Sequence, residues 1–289
     1  FYYPDVTACA FRMQETATML AEMGCEVHVI AGEPHKGQID GQSIDDGRIR
    51  VSRVPLIKYE GRGKWNYIAH YLSFMFGAIR AAGRHKGRFD VIWASSPPLF
   101  TGISGLITAW FKRTSLCLDI RDIWPESAVV AGQIKEGSFL FRAAKVTEYL
   151  LYRAADQITC VAGPMADYIC RVSGGRRPEV IYNAIPAAMV ADSAMPIDPE
   201  PRPMTVLYIG NMGYCQNLSL VVEAARQLAA AGETRIRFRL VGSGIEKPLI
   251  EKAVKDAGLS NIEILGLVPK EQAIEMIRNA HALMLHLKD

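Results

Sequence analysis

The sequence has no cysteine or histidine pattern that would hold a disulfide framework or a metal ion. Its six cysteines are scattered along 289 residues without a C-x-x-C pair, and its six histidines show no ligand spacing. No H-E-x-x-H, D-x-D or G-x-S-x-G segment occurs either. We therefore expect free thiols in a reducing compartment, no metal site and no other cofactor.

Long apolar runs are missing as well. The longest, at 99–111, is interrupted by Thr101, Ser104 and Thr108, and it stays below the roughly 18 residues that indicate a membrane span. Pro4 breaks the first apolar stretch, so no signal peptide is predicted. Because residue 1 is Phe rather than Met, we expect that a preceding segment has been removed.

The sequence also lacks a strong net charge, since 33 basic and 30 acidic residues leave +3. Composition alone therefore does not indicate a nucleic-acid partner. Locally, however, residues 58–88 hold seven basic side chains, one acidic side chain and several aromatic rings. This combination is typical of a helix that attaches to an anionic membrane surface. The alternative is that the rings belong to the core beneath a solvated basic face.

The period of the apolar residues predicts strands that alternate with helices, which is typical of βαβ units and parallel sheets. A first helix is expected over 11–21, ended by Gly24. Further strands are expected at 26–31, 49–54, 90–94, 115–119, 157–161 and 179–182, with helices at 66–82, 99–111, 138–152 and 164–171. A second series has strands at 205–209, 236–241, 262–265 and 282–285, with helices at 218–231, 246–257 and 271–279.

A proline-rich stretch without periodicity separates the two series, and it should be extended. We predict a first domain at 1–186, a linker at 187–203 and a second domain at 204–289. Both ends are expected to be cut. A first strand would precede residue 1, and the second domain would be incomplete at residue 289.

Two glycine turns follow neighbouring strands of the second series. Gly210, Asn211 and Gly213 form one turn, and a helix is expected soon after Gln216; the stretch 242–244 (Gly-Ser-Gly) forms the other. Glycine lets the backbone approach a phosphate, and a helix N-terminus favours negative charge. Two such turns at adjacent strand ends fit a nucleotide site better than one. The alternative is that they are ordinary structural turns.

The richest local signal is 119–127, Asp-Ile-Arg-Asp-Ile-Trp-Pro-Glu-Ser, directly after a predicted strand. Ligands bind at the carboxyl ends of strands in open α/β sheets, so ionisable groups there favour a functional site. In the alternative, Arg121 pairs with Asp119 or Glu126, and Trp124 fills the floor between the domains. After another strand, Ser95 and Ser96 could bind an acceptor, although capping of the following helix is favoured.

These motifs resemble the retaining GT-B glycosyltransferases of family 4. The similarity is greatest to the bacterial transferases that add L-fucosamine or a related sugar in O-antigen and capsule assembly. It runs over essentially the whole chain and is carried by Tyr3-Pro4-Asp5, by the turn at 24–27, by Arg-Asp-Ile-Trp-Pro-Glu-Ser at 121–127 and by Gly-Asn-Met-Gly at 210–213.

The resemblance implies an α/β protein of two Rossmann-like domains whose parallel sheets face each other across a cleft. It implies transfer of a sugar with retention and without an essential metal. The donor would be a nucleotide sugar, with a UDP-sugar favoured, and the acceptor a polyprenyl-diphosphate-linked saccharide. The protein would lie in the cytoplasm, peripheral on the inner face of the plasma membrane, and would not bind nucleic acid.

The same resemblance assigns roles to residues. Arg121 and Asp122 would be catalytic. The donor phosphates and nucleotide would contact Gly210, Asn211, Gly213, Gln216, Gly242, Ser243, Gly244 and Val268, and the acceptor side would include Thr7, Ala8, Ser95, Ser96 and Glu126. The chain departs from the family pattern in that Asn211 and Gln216 stand nearest the positions of an Arg and a Lys.

Two further departures concern other parts of the family pattern. Ala8 and Cys9 replace a glycine pair, and the Glu-x7-Glu pair is absent. Two other functions stay open at this stage. One is a GT-B-shaped sugar-nucleotide epimerase, and the other is a non-catalytic protein that binds a sugar nucleotide or serves as a membrane scaffold.

Overall fold

The computed structural model describes residues 1–5, 7–34, 47–57, 64–130, 132–184 and 203–287. The chain forms two compact units, Phe1–Asn183 and Ala184–Asp289. All but the last residue of the predicted linker at 187–203 lies outside the described residues, so the predicted boundaries at 186 and 204 stay predictions. Among the described helices, none is long and apolar enough to cross a membrane.

The first unit alternates helices with parallel strands. Its elements are α1 (Ala8–Glu22), β1 (Val27–Gly32), β2 (Ile49–Val54), α2 (Lys64–Arg84), β3 (Val91–Ser96), α3 (Leu99–Lys112), β4 (Ser115–Ile120), α4 (Glu126–Val130), α5 (Phe139–Ala154), β5 (Gln157–Cys160), α6 (Gly163–Ser173) and β6 (Glu179–Val180). Strands β1 and β2 pair with each other, and a second sheet has the order β3-β4-β5-β6.

Local chemistry explains where helix α1 begins and ends. Thr7 precedes the helix with extended backbone, and its hydroxyl oxygen accepts a hydrogen bond from the Ala10 amide at 3.1 Å. After the C-cap residue Met23, Gly24 adopts a φ of +92°, a conformation that a side chain disfavours. The predicted role of Gly24 at the helix end is therefore confirmed.

The core of the first unit is built around the central strand β4. Leu116, Leu118 and Ile120 are fully buried there between helices on the sheet. Helix α3 packs closely on the sheet because it has glycine at the contact. A Cβ atom on Gly105 would lie 2.6 Å from the Ala94 side chain.

The second unit is a smaller sheet with helices. Its elements are β7 (Met204–Asn211), a 3₁₀ turn (Tyr214–Gln216), α7 (Ser219–Ala230), β8 (Ile236–Ser243), α8 (Lys247–Asp256), β9 (Ile262–Leu265), α9 (Lys270–Arg278) and β10 (Ala282–Leu283). The strand order is β10-β7-β8-β9, all parallel. Leu207, Met212, Leu218 and Leu240 are fully buried in this unit.

The predicted fold class, an α/β protein with parallel sheets, is confirmed, and each predicted strand and helix has a counterpart. Strand β9 has the predicted bounds, whereas β6 and β10 are only two residues long. Helix α4 was not predicted, because its five residues are too few to show a helical period.

Candidate active site

A buried carboxylate lies at the carboxyl end of β4. The Asp119 side chain is 1% exposed, and both of its oxygens accept hydrogen bonds. Oδ2 accepts from Arg121 Nε at 2.7 Å and from Arg12 Nη1 at 3.0 Å, and Oδ1 accepts from the Thr159 hydroxyl at 2.8 Å. Asp119 thus ties together strand β4, strand β5 and helix α1.

Arg12 extends this cluster to strand β3. Its Nη2 donates to Ser95 Oγ at 2.9 Å, and the Ser95 hydroxyl donates to Asp119 Oδ2 at 3.2 Å. The sequence analysis did not single out Arg12, because nothing in the local pattern indicates a partner 107 residues away. The only available signal was its place at the start of the helix predicted at 11–21.

Arg121 is held in place from several directions. Besides the ion pair with Asp119, its Nη1 donates to Asn183 Oδ1 at 3.0 Å, and its backbone amide donates to the Ser96 carbonyl at 2.8 Å. The interpretation in which Arg121 pairs with Asp119 is confirmed. Among the described residues, Arg121 forms no ion pair with Glu126.

The neighbouring Asp122 is exposed on the loop. Although much of the residue is exposed, nearby protein atoms displace some of the water around its carboxyl, and this partial desolvation raises the pKa of Asp122 above its ordinary value. Hydrogen bonds from the Ser127 hydroxyl and the Ile123 amide act in the opposite direction. These contacts do not show what Asp122 does in a reaction, and its catalytic role stays a prediction.

One expectation about this region is wrong. Ser95 and Ser96 do not cap helix α3, whose N-cap is Pro98 without a side-chain bond. The Ser95 hydroxyl is engaged by Arg12 and Asp119 instead. Trp124 is buried in the core cluster of the first unit, and its predicted place at a floor between the domains stays a prediction.

Glu126, which begins α4, belongs to a second polar cluster. Its Oε1 accepts from Lys145 Nζ and from the Tyr168 hydroxyl, both at 2.9 Å. Lys145 also contacts Glu148, whose side chain is 0% exposed. Burial alone would lower the pKa of Lys145, but its hydrogen bonds to Glu148, Tyr168 and Glu126 raise the pKa well above its ordinary value.

The predicted acceptor-side residues therefore fall into separate places. Thr7 and Ala8 form the start of α1, and Ser95 and Ser96 lie at the end of β3, near the Asp119 cluster. The contacts of Glu126 run instead to α5 and α6. An acceptor role for these residues stays a prediction.

In the second unit, the predicted donor residues meet at one edge of the sheet. Gly210 pairs with Gly242 and Asn211 with Ser243, at the carboxyl ends of β7 and β8. Val268 follows β9, the next strand in the order. The carboxyl ends of adjacent parallel strands are where α/β sheets bind ligands. A donor role for these residues stays a prediction.

Close backbone packing explains why glycine stands at 242 and 244. Gly242 has a φ of +141°, and a Cβ atom there would lie 1.9 Å from the Gly210 carbonyl oxygen. A Cβ atom on Gly244 would lie 2.3 Å from the Met212 carbonyl oxygen. These glycines are therefore needed by the fold itself, whatever the turn binds.

Some polar groups in and beside the turn after β7 form hydrogen bonds with one another. The Gly213 amide donates to Gln216 Oε1 at 3.0 Å, and the Tyr208 hydroxyl donates to the Asn211 carbonyl at 2.5 Å. Residues 204–216 contain no Lys, Arg or His. This turn can offer backbone dipoles to an anion, but no full positive charge.

Part of the basic segment at 58–88 lies outside the described residues, namely 58–63. Along helix α2, the described aromatic rings are of two kinds, packed and exposed. Tyr71 stacks on Phe100 of α3 with ring centroids 6.3 Å apart, whereas Phe76 is exposed. Tyr71 therefore packs within the unit as the core interpretation expects, and attachment of this segment to a membrane stays a prediction.

Comparison with known proteins shows matches to two family models. The model described as "Glycosyl transferase 4-like domain" matches residues 7–184, and "Glycosyl transferases group 1" matches residues 196–288. A curated relative is the putative colanic acid biosynthesis glycosyl transferase WcaI of Escherichia coli (strain K12). It is 26% identical over 92% of this chain and 70% of its own length.

Two solved structures illustrate the fold. Anabaena Alr3699/HepE in complex with UDP-glucose has a TM-score of 0.64 at 12% identity, over 99% of this chain and 72% of that one. WaaG, described as a glycosyltransferase involved in lipopolysaccharide biosynthesis, has a TM-score of 0.64 at 11% identity, over 100% of this chain and 73% of that one. At these identities the likeness concerns the fold.

Proposed function

The chain belongs to the glycosyl transferase 4-like family and is a glycosyltransferase of GT-B type, and from this premise we propose a more specific reaction. It transfers a sugar, with retention and without an essential metal, from a UDP-sugar to a polyprenyl-diphosphate-linked saccharide. The product is a bacterial surface polysaccharide of the O-antigen or capsule type. The proposal depends most on one observation. The family match over residues 7–184 includes the Arg12–Asp119–Arg121 cluster at the carboxyl ends of β3 and β4.

The names of the similar proteins support the choice of substrates. HepE is described in complex with UDP-glucose, WcaI as acting in colanic acid biosynthesis and WaaG in lipopolysaccharide biosynthesis. A UDP-sugar donor and a growing surface polysaccharide are the corresponding substrates for this chain. A sugar-nucleotide epimerase would need no acceptor, and this difference is used in the experiment below.

In the proposed reaction, Arg121 and Asp122 act directly on the substrate. The bond from sugar C1 to the diphosphate oxygen breaks, and the acceptor hydroxyl oxygen bonds to C1 as its proton is released. Negative charge grows on the departing UDP, and a fixed guanidinium such as Arg121 stabilises it without reorganisation. Asp122, beside the transferred sugar, orients that sugar through its carboxylate.

A peripheral position on an anionic membrane is part of the proposal, because the acceptor is a lipid. Helices α2 and α3 pack together, as do α3 and α5, and we call these three the helical face. Their sequences contain one acidic residue, the buried Glu148. Phe76, Trp110 and Phe139 are exposed on them, with Trp110 81% and Phe139 88% exposed. Exposed aromatic rings among basic side chains suit a lipid headgroup region.

The proposed function is tested with the full-length protein, a panel of UDP-, GDP- and dTDP-sugars, and a polyprenyl-diphosphate-linked saccharide. We expect UDP release that depends on the acceptor. We also expect Asp122→Asn to lower kcat at least about 100-fold, because it removes a charge that acts at the reacting sugar. The matched control is Asp167→Asn, an exposed carboxylate on α6 whose pair with Arg177 spans 3.8 Å.

Two results would contradict the proposal. Conversion of the sugar nucleotide without any acceptor would favour the epimerase. Equal activity of Asp122→Asn and the wild type would remove the catalytic assignment.

A further inference from the structure

Arg12 and Arg121 place two guanidinium groups on one buried carboxylate, and we call these two residues the arginine pair. They come from different elements, helix α1 and the loop after β4, and both contact Asp119 Oδ2. One guanidinium suffices to balance the charge of Asp119. The second leaves a surplus positive charge at the carboxyl ends of β3 and β4.

Among the residues that the structure describes, the hydrogen bonds of the arginine pair leave several of its donors unoccupied. Each guanidinium carries five N–H groups. Arg12 donates to Asp119 and Ser95, and Arg121 donates to Asp119 and Asn183 through its side chain. Their side chains are 19% and 17% exposed, so each is partly open to solvent and to a ligand. In the described part of the chain, Asp119 is the only acidic group in an ion pair with either of them.

The position of the arginine pair favours an anionic ligand. Ligands of open α/β sheets bind at the carboxyl ends of the strands, where Ser95 and Asp119 hold the pair. Arg12 lies in the second turn of α1, near the positive end of the helix dipole. Buried Asp119 fixes both guanidiniums before any ligand arrives, so less rotamer entropy is lost on binding.

We propose that the arginine pair is a binding site for a diphosphate ester, with Arg12 as a binding residue in addition to Arg121. A guanidinium offers a planar fork of donors that matches phosphate oxygens. This inference rests on the proposed function, in which donor and acceptor both carry a diphosphate.

The first experiment is independent of catalysis. Phenylglyoxal modification of Arg12 and Arg121 in the full-length protein is followed by mass spectrometry, with and without inorganic pyrophosphate. We expect pyrophosphate to slow modification of both residues at least about fivefold. Arg171, an exposed arginine on α6, is the internal control and should react at an unchanged rate. Equal rates at Arg12 with and without pyrophosphate overturn the inference.

The second experiment identifies the source of the diphosphate. We expect Arg12→Gln to raise KM about 10- to 100-fold for either the UDP-sugar or the polyprenyl-diphosphate saccharide, and Arg12→Lys to recover part of the loss. Arg171→Gln is the matched control. A rise in the donor KM assigns the site to the donor, and a rise in the acceptor KM assigns it to the acceptor. A variant with both KM values unchanged shows that Arg12 only supports the fold and overturns the inference.

The two failures are distinguishable. If pyrophosphate protects the arginine pair but no transfer is found, the site stands and the proposed function fails. If transfer is found without protection, the function stands and the site fails.

Discussion

Lys145 is the residue on which the second polar cluster of the first unit depends. Its ammonium contacts the carboxylates of Glu126 and Glu148. The Tyr168 hydroxyl lies within hydrogen-bond distance of the same two carboxylates. Burial raises the pKa of Glu148, and its contacts with Lys145 lower that pKa. A buried carboxylate is costly once its counter-charge is removed, so this cluster should be sensitive to loss of the lysine.

We predict that Lys145→Met lowers the free energy of unfolding by about 2 kcal/mol. Breaking a buried ion pair costs about 3 kcal/mol or more, but the Lys145 side chain is 29% exposed, so solvent screens part of the effect. Urea unfolding followed by tryptophan fluorescence measures the change. The control is Lys135→Met, an exposed lysine before α5. Adding Glu148→Gln to Lys145→Met should restore part of the loss, and equal stabilities of the Lys145 and Lys135 variants would contradict the prediction.

At the scale of single elements, strands β7 and β8 depend on backbone packing at their carboxyl ends. The two strands pair from Met204 with Ile236 to Asn211 with Ser243. The turn that follows bonds back to this edge, because the Met212 amide donates to the Ser243 carbonyl at 2.8 Å. The glycine turns are therefore part of the sheet as well as a candidate ligand site.

We predict that Gly242→Ala destabilises the second unit by at least about 2 kcal/mol, because the added methyl would meet the Gly210 carbonyl and alanine disfavours the observed φ. Hydrogen exchange of the β7 and β8 amides reports on this unit, since the four tryptophans all precede residue 184. Gly266→Ala is the control, because nothing lies within 4 Å of its added Cβ. Similar exchange in both variants would refute the claim that packing requires Gly242.

At the scale of the whole molecule, charge is unevenly distributed along the chain. Up to residue 182 there are 22 basic minus 18 acidic residues, or +4, and the remainder has 11 minus 12, or −1. The exposed aromatic rings of the helical face lie in the positive part. Both features suit attachment of the first unit to an anionic surface.

We predict that the full-length protein floats with vesicles that contain anionic lipid, and that salt weakens this binding. Arg80→Gln with Arg84→Gln should lower the vesicle partition coefficient at least about tenfold, since each basic residue near the lipid contributes about 1 kcal/mol. Lys252→Gln with Lys255→Gln, on exposed positions of α8, makes the same charge change in the second unit. Equal losses in the two double variants, or binding that is indifferent to anionic lipid, would count against the helical face.

The amino-acid sequence alone determined the alternation of strands and helices and the α/β class. These follow from apolar periodicity and from turn residues such as Gly24, which act over a few neighbouring positions. The sequence also indicated the 119–127 loop and the two glycine turns, because residue types that suit a ligand follow predicted strands there.

Only the tertiary structure decided which side chains share a site. Arg12 meets Asp119 across 107 residues and Ser95 across 83, and Lys145 meets Glu126 and Tyr168 from different helices. The predicted serine cap was wrong for the same reason, since Ser95 took partners from other elements. A hydrogen bond between distant residues depends on how elements pack, and local periodicity carries no information about that packing.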